Sequence, residues 1–363
     1  MNRTEDYELI SIGNKEQWNN TIKSCGEYDT YHLAEYHQLA YLQGEGRPLL
    51  FSYSMSGHHA ALPFLARSLS GIDGLDDFKE CDGTSVYGYP GVLSSMNPED
   101  PDAGEFRARF QEGLERVLRK LSVIALFTRQ NPLIDSSWLL GGLAQIVTLC
   151  PTISINLRKP EAEQIKDMTK GHRYDIRKAI KYEVTVREAD YLGSLDDFIS
   201  IYVETMDRTG AGDYYRFSKR YFLLLKECLG DAVRLYIAKA KGETVAASMF
   251  LLSDKIIQYH LSGAPTAHLS LSGNKVIIDE VRRWGTDHGF AWLHLGGGVG
   301  SKADSLFRFK SGFSSHRSQF KVIKWILDPM IYKEAVNRAG SLDAGFFPAY
   351  RTPLKMKSGD KSE

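Results

Sequence analysis

One order of elements can be read twice along this chain. Glu16 to Leu42 has helical spacing, and Leu49 to Ser54 and His59 to Ala66 read as strands joined by a Ser56-Gly57 turn. Further on, Leu195 to Thr205 and Lys219 to Leu229 read as helices, and Val233 to Lys239 and Thr244 to Ser253 as strands joined at Lys241-Gly242. A third strand, Lys255 to Ser262, leads to a helix at Lys275 to His288 and a buried strand at Ala291 to Leu295. Phe106 to Lys120 and Val123 to Arg129 are the counterparts of that last helix and strand in the first half. A repeated run of helix, strand, strand, helix and strand excludes all-α and all-β folds. The expectation is an α/β (α+β) protein of two tandem domains, each a mixed sheet flanked by helices. The division expected is 1–150 and 151–330, meeting near Cys150-Pro151, with 331–363 forming a C-terminal helix and a polar tail.

The length of 363 residues agrees with two cores, and 43% hydrophobic residues supply enough apolar surface to build them. Forty-five Lys plus Arg balance forty-five Asp plus Glu, so any polyanion site must be a local patch. Cys25, Cys81, Cys150 and Cys228 are far apart and form no CxxC or Cys/His pattern, which argues for a reducing compartment and against a structural metal. The start, MNRTEDYELISIG, has no apolar signal core, and no run approaches the roughly 20 residues of a membrane helix. The chain reads as soluble and cytoplasmic. The basic tail from Arg351 leaves open a peripheral contact with the inner face of a membrane.

Two segments concentrate cations. In Thr169 to Lys181, Arg173 and Arg177 fall on one side of a helix, where guanidinium groups a turn apart can grip a phosphate; a solvated helix face accounts for the same pattern. In Ser301 to Lys324, Arg308, Lys310, Arg317, Lys321 and Lys324 interleave with Phe307, Phe309, Phe313 and Phe320. That alternation suggests a half-buried strand beside a polyanion channel, or an edge strand guarded by charge. The run Gly296 to Gly300 follows a strand but opens a polar loop, so it is neither a dinucleotide fingerprint nor a P-loop. Ser262 lies in HLSGA without a nucleophile elbow, and His58-His59 falls at a hairpin, so neither a serine hydrolase nor a metal site is indicated.

Taken together, RYDIRKAIK, LHLGGG, SLFRFKSGFSS, YGYPGVL (Tyr87 to Leu93) and FTRQNPLI (Phe127 to Ile134) resemble the FemAB-like aminoacyltransferases of the GNAT acyltransferase superfamily. The resemblance runs from about Trp18 to Trp325. It implies two GNAT-like domains and transfer of an aminoacyl group from aminoacyl-tRNA to an amine, such as that of a nucleotide- or lipid-linked peptidoglycan precursor. By position, Arg173 or Arg177 resembles the residue holding an acceptor phosphate, and Lys310 the lysine near the tRNA end. The Tyr87 to Gly91 segment has no arginine, unlike the family pattern, which leaves other acceptors open.

The stretch before the Lys275 helix, Ala267 to Asn274, has one glycine and no arginine, so it is a reduced form of the cradle that holds CoA pyrophosphate in GNAT domains. This favours aminoacyl-tRNA over acyl-CoA as donor, with no other cofactor. The expected catalytic residues are Lys310 and Tyr215. Arg173, Arg177, Tyr214, Tyr89, Ser262, Gly297 and Phe309 are expected at the acceptor, and Ser272, Gly273, Asn274, Arg308 and Arg317 at the donor. An acyl-CoA N-acyltransferase of cell-envelope or polysaccharide assembly and an inert binding protein with the same cleft remain the alternatives.

Overall fold

A computed structural model describes residues 5–212, 215–340 and 345–352. The first half runs β1 (Glu5–Ser11), α1 (Lys15–Ser24), α2 (Ala34–Leu42), β2 (Arg47–Met55), β3 (His58–Ser68), β4 (Cys81–Thr84) and β5 (Leu93–Ser94). It continues with α3 (Ala103–Lys120), β6 (Val123–Arg129) and β7 (Gln145–Asn156). The second half opens with α4 (Glu161–Asp167), α5 (Lys170–Lys181), β8 (Thr185–Glu188), α6 (Leu195–Thr209) and α7 (Lys219–Leu229). Then come β9 (Val233–Ala240), β10 (Glu243–Leu252), β11 (Ile256–Gly263), α8 (Gly273–Asp287), β12 (Trp292–Gly296), α9 (Ser305–Ser311), β13 (Arg317–Ile326) and α10 (Pro329–Arg338).

Local chemistry explains most of these limits. Both hairpin turns place two residues at positive φ, Ser56 and Gly57 at 52° and 83°, Lys241 and Gly242 at 50° and 86°. Two-residue turns of that kind match the twist of the strands they join. The expected helix over Glu16 to Leu42 is two helices, because Gly26 turns left-handed at φ 96° and Asp29 then caps a separate turn at Thr30–His32.

All strands join one sheet, in the order β1-β2-β3-β4-β6-β13-β7-β12-β11-β10-β9-β8, with β5 paired to β3. Read from either end the order is the same: five strands of one half, then the last strand of the other. β13 of the second half pairs with β6, and β7 of the first half pairs with β12, while β7 and β13 pair antiparallel at the centre. The two halves thus exchange their final strands. Residues 150 and 151 lie inside β7, so the halves are not parted by a linker there. Among the described residues, only β4 with β6 and β11 with β12 pair in parallel, at equivalent places in the two halves.

Helices cover both faces. α3 packs Phe106 and Phe110 onto Phe51 and Tyr53, in a core that also takes Ile323 and Trp325 from β13. α5 and α8 cover β9 to β12 on the same scale, around Ile176, Ile277, Phe250 and Leu293. A third core joins the halves outright: Tyr31, Leu65 and Val86 of the first pack with Phe198, Phe222 and Met249 of the second. At the C-terminal side, Tyr350 and Ala335 pack on Leu69, Leu75 and Ile124. There Arg351 and Arg67 both pair with the fully buried Asp82.

Candidate active site

The parallel pair β11 and β12 is joined only from Ile256 opposite Trp292 to Gln258 opposite His294. Beyond that row β11 continues to Gly263 and β12 to Gly296 without pairing to each other, so the two strands part. The glycine run follows at this point. Gly296 has φ 77°, and a Cβ on Gly298 would lie 2.0 Å from the Lys302 carbonyl, so neither position takes a larger residue easily.

Asp304 organises what comes next. Its carboxylate accepts from Phe307 N (2.8 Å) and Val299 N (3.0 Å), capping α9 and tying the glycine loop to it. The expected half-buried strand over 301–324 is therefore a helix followed by a strand. A cap at Asp304 and four-residue spacing of Phe309 and Phe313 favour helix, and strand geometry begins only at Arg317. α9 turns Lys310 inward, 8% exposed, where its Nζ donates to the Gly297 carbonyl at 2.8 Å. Burial pulls the Lys310 pKa down to about 8, while Asp304 opposes the shift.

Tyr89 meets Lys310 from the first half. A Cβ placed on Gly296 would lie 3.2 Å from Lys310 Nζ and 3.4 Å from the Tyr89 hydroxyl, so both groups occupy the space beside that glycine. Burial pushes the Tyr89 pKa up to about 12, Arg129 opposes it, and a backbone hydrogen bond from Gly297 does the same. One residue, Gly297, thus touches both groups, through its N–H to Tyr89 and its carbonyl to Lys310. The glycines of Tyr87 to Gly91 set Tyr89 there: a Cβ on Gly88 (φ 107°) would strike the Tyr31 ring at 2.4 Å, and one on Gly91 (φ 37°) the Gln130 amide at 2.6 Å.

Behind this pair lies a buried polar row that the sequence reading did not pick out. His294 Nδ1 bonds Gln258 Oε1 at 2.7 Å, and Gln258 Nε2 donates to Asp29, which also accepts from Asn131 Nδ2 (2.8 Å) and Thr30 N (2.7 Å). Asp29, His294 and Asn131 are fully buried. Desolvation raises the Asp29 pKa to about 7 against three hydrogen bonds that lower it. His294 is lowered to about 3, by burial and then by the Lys310 charge. The signal that could have found His294 was a polar residue within the strand Ala291 to Leu295, where every other position is apolar or aromatic. Nearby, His260 joins the halves by bonding the hydroxyls of Tyr221 (2.8 Å) and Tyr31 (3.4 Å).

Of the expected site residues, Lys310, Tyr89 and Gly297 come together. Phe309 contributes its carbonyl, which His172 Nε2 meets at 2.8 Å, and its ring packs on the second-half core. Arg173 and Arg177 lie on α5, which is fastened to α9 by that bond and by Thr169 N to the Gly312 carbonyl at 2.9 Å. Arg177 and Arg308 face solvent, and Arg317 bonds the Ser314 carbonyl at 2.7 Å and lies over the Phe307 ring. Ser262 sits opposite Ser248 on β10, and the Asn274 side chain accepts from that Ser248 at 3.2 Å, so it is held against the sheet. Gly273 lets α8 approach the sheet, since its Cβ would lie 2.7 Å from that of Ala246; Ser272 precedes it in left-handed conformation at φ 54°. Tyr215 offers its carbonyl to Tyr202 Oη at 2.6 Å. Tyr214 and the tail from 353 lie outside the described residues. The four cysteines are unpaired, and among the described residues no cluster of metal-binding side chains and no helix able to cross a membrane occurs.

Comparison with known proteins gives this geometry its class. Residues 166–311 match the acetyltransferase (GNAT) domain family. The whole fold is FemAB-like: FemX superposes with a TM-score of 0.71 at 12% identity, covering 91% of this chain and 99% of its own. The C-terminal domain of a putative lysylphosphatidylglycerol synthetase from Agrobacterium fabrum superposes at 0.54 and 11% identity, over 91% of this chain and 97% of its own. L-PGS from Bacillus licheniformis does so at 0.51 and 14% identity, over 89% and 95%. No curated protein matches the chain by sequence.

Proposed function

We propose that this protein transfers an aminoacyl group from aminoacyl-tRNA to an amine, with Lys310 as the proton carrier. The observation that carries the reading is the buried Lys310 amine on the Gly297 carbonyl, at the parting of β11 and β12. An aminoacyl ester is already activated, so catalysis requires alignment, removal of a proton from the attacking nitrogen and stabilisation of the oxyanion. A lysine lowered to about 8 exchanges protons near neutral pH, which suits it to this more than to holding a phosphate. Tyr89, pushed up to about 12, keeps its proton and serves as hydrogen-bond donor to the oxyanion. Arg173 and Arg177 on α5 serve an acidic acceptor, for which a peptidoglycan precursor is the first choice.

The donor assignment rests on the second-half helix α8. Its opening has no arginine, the Asn274 side chain is engaged by Ser248, and Lys275 is engaged by Asp175, which leaves little for a CoA pyrophosphate. In the first half the equivalent helix α3 is preceded by Glu99, Asp100 and Asp102, an acidic approach that repels one. Exposed Lys170, Arg177, Lys178 and Lys181 of α5 and Arg308 of α9 offer cations to a nucleic acid. The names of the lysylphosphatidylglycerol synthetases also point to aminoacyl chemistry on this fold. The acetyltransferase domain match favours a second reading, transfer from acyl-CoA.

Calorimetry with CoA, acetyl-CoA and a mixed aminoacyl-tRNA pool at two salt concentrations separates the two. Salt-sensitive tRNA binding, with turnover lost in Lys310→Ala, is the expected result. Saturable CoA binding with acetyl transfer to an amine moves the protein to the second reading, and binding without turnover to an inert module.

A further inference from the structure

Two cations share one face of the sheet at its centre. β6 and β13 pair antiparallel with Arg129 opposite Val322 and Phe127 opposite Lys324, so these four side chains lie on one face. The alternate residues, Leu126, Ile323 and Trp325, point the other way, into the core under α3. Arg129 and Lys324 are thus diagonal neighbours, close enough for side chains of their length to reach each other. Aromatic rings fix both of them. The Arg129 guanidinium lies 5.0 Å over the Phe127 ring, Phe127 meets Phe347 at 6.3 Å, and Lys324 Nζ lies 5.8 Å from the Phe347 ring.

Neither cation has an acid of its own. The Arg129 guanidinium makes a single hydrogen bond, to Ser85 Oγ at 3.4 Å, and among the described residues no carboxylate forms an ion pair with it or with Lys324. The charged groups around them are engaged or apart. Asp82 is taken by Arg67 and Arg351, Lys321 turns to the other face with Asp135 as its partner, and Glu45 lies in range of the Arg129 charge without pairing with it. Two like charges set side by side on a half-buried surface repel, and an anion bound between them removes that cost.

The pair adjoins the candidate active site. Phe320, two residues before Val322 on the same face, packs edge-on to Tyr89 at 5.2 Å, and the Arg129 charge acts on the Tyr89 hydroxyl. The loop carrying Tyr89 is fastened beside Arg129, by Ser85 N to the Phe127 carbonyl at 2.9 Å and by Gly91 N to the Arg129 carbonyl at 2.8 Å. Val147 and Leu149 of β7, opposite Val322 and Phe320, continue the face and are only half-buried, which leaves it open to a ligand.

We propose that Arg129 and Lys324 form an anion site for the acceptor, holding a phosphate or carboxylate roughly 10 Å along β13 from the amine that reacts beside Tyr89. The proposal rests on the transferase reading above and deepens it, and the site is separate from the cations of α5. The guanidinium offers a fork of N–H donors to two oxygens of the anion and the ammonium a point charge, while Phe127 and Phe347 keep both in place. This spacing selects the acceptor. An amine whose anion lies several bonds away occupies both ends at once, whereas a free α-amino acid, with its carboxylate beside its amine, does not.

Arginine NMR reads the site without turnover. In protein labelled with nitrogen-15 arginine, the Arg129 Nε signal, assigned by its loss in Arg129→Gln, should move saturably as inorganic phosphate replaces chloride at constant ionic strength. Phosphate should also raise Tm, and that rise should shrink in the Arg129→Gln, Lys324→Gln double variant. Movement with acetate as well marks a site that takes either group, and movement with phosphate alone a phosphate site. Lys324→Gln should weaken phosphate binding by roughly 10- to 100-fold. Without phosphate, at low salt, the same variant should raise Tm, where loss of a merely structural lysine lowers it. In turnover it should raise KM for the acceptor and leave kcat within a few-fold. An Arg129 signal that neither anion moves, an equal phosphate effect in the double variant, or a rise confined to the donor KM overturns the proposal. If the double variant does not fold, the wild-type titration decides. Phosphate binding with no transfer from any donor strikes the proposed function and not the site.

Discussion

Lys310 is where the molecule gives up stability for reactivity. Its folded pKa lies near 8, below the ordinary lysine value, so between those limits the unfolded chain binds more protons and stability rises with pH. The penalty is fully present below pH 8, at about 3 kcal/mol before the Gly297 hydrogen bond offsets part of it. Lys310→Met is therefore expected to raise Tm at pH 7 while abolishing turnover, with the gain in Tm shrinking as pH passes 8; a Tm that falls at pH 7 removes the argument. Tyr89→Phe should lower kcat by roughly 10²-fold with little change in KM if its hydroxyl serves the oxyanion, as steady-state kinetics can check. The sequence made Lys310, Tyr89 and Gly297 visible as separate features, a lysine in FRFKSGF, a tyrosine between glycines and a glycine after a strand. It could not join them, because Tyr89 lies more than two hundred positions from the other two and Lys310 reaches Gly297 only through the fold of the loop between them. Of the buried polar row, only His294 left a local trace, as the polar position in an otherwise apolar strand; Asp29 and Gln258 carry no such pattern.

At the scale of elements, hairpins and amphipathic helices were legible because their signals are local. Both hairpin turns, α7 and β6 fall where spacing predicts them. Ser305 to Ser311 was misread because interleaved cations and rings fit period two as well as a helix, and the Asp304 cap decided between them. That helix is held by its junction with α5. Gly312 has no room for a methyl group, since a Cβ there would come within 2.1 Å of the His172 ring, which packs edge-on to Phe313 at 4.7 Å and bonds the Phe309 carbonyl. Gly312 is at φ −70°, so an alanine is not strained by its backbone and the overlap alone acts. Gly312→Ala should cost about 1–3 kcal/mol and should weaken turnover beyond that loss, because α9 carries Lys310. Thermal denaturation and kcat measured on the same preparation check this; an unchanged Tm with an unchanged kcat would show that α5 and α9 are not coupled.

For the molecule as a whole, the duplicated order of elements was legible, but the exchange of last strands was not. Either way of placing β7 and β13 satisfies the same apolar pattern, and a strand's partner is set by topology rather than by its own residues. The exchange changes what the two halves are. Without β13, β6 keeps only its pairing with β4, without β7, β12 keeps only its pairing with β11, and the shared core of Tyr31, Val86, Phe198 and Met249 belongs to neither half. A chain cut at 150/151 severs β7 itself, leaving Ile153 and Ile155 on one fragment and Ile146 and Val147, paired with β13, on the other. Separately produced 1–150 and 151–363 are therefore expected to aggregate or stay unfolded, since each exposes a strand edge and half of a core. Produced together, they should associate and recover the far-ultraviolet circular dichroism of the intact chain, with transfer activity following if strand pairing re-forms. Because Asp29 and Tyr89 lie on one fragment and Lys310, Gln258 and His294 on the other, neither fragment alone should turn over substrate at any concentration. A lone 151–363 fragment that is monomeric, cooperative on heating and active would mean that the second half is a self-sufficient enzyme and that the exchange serves only stability.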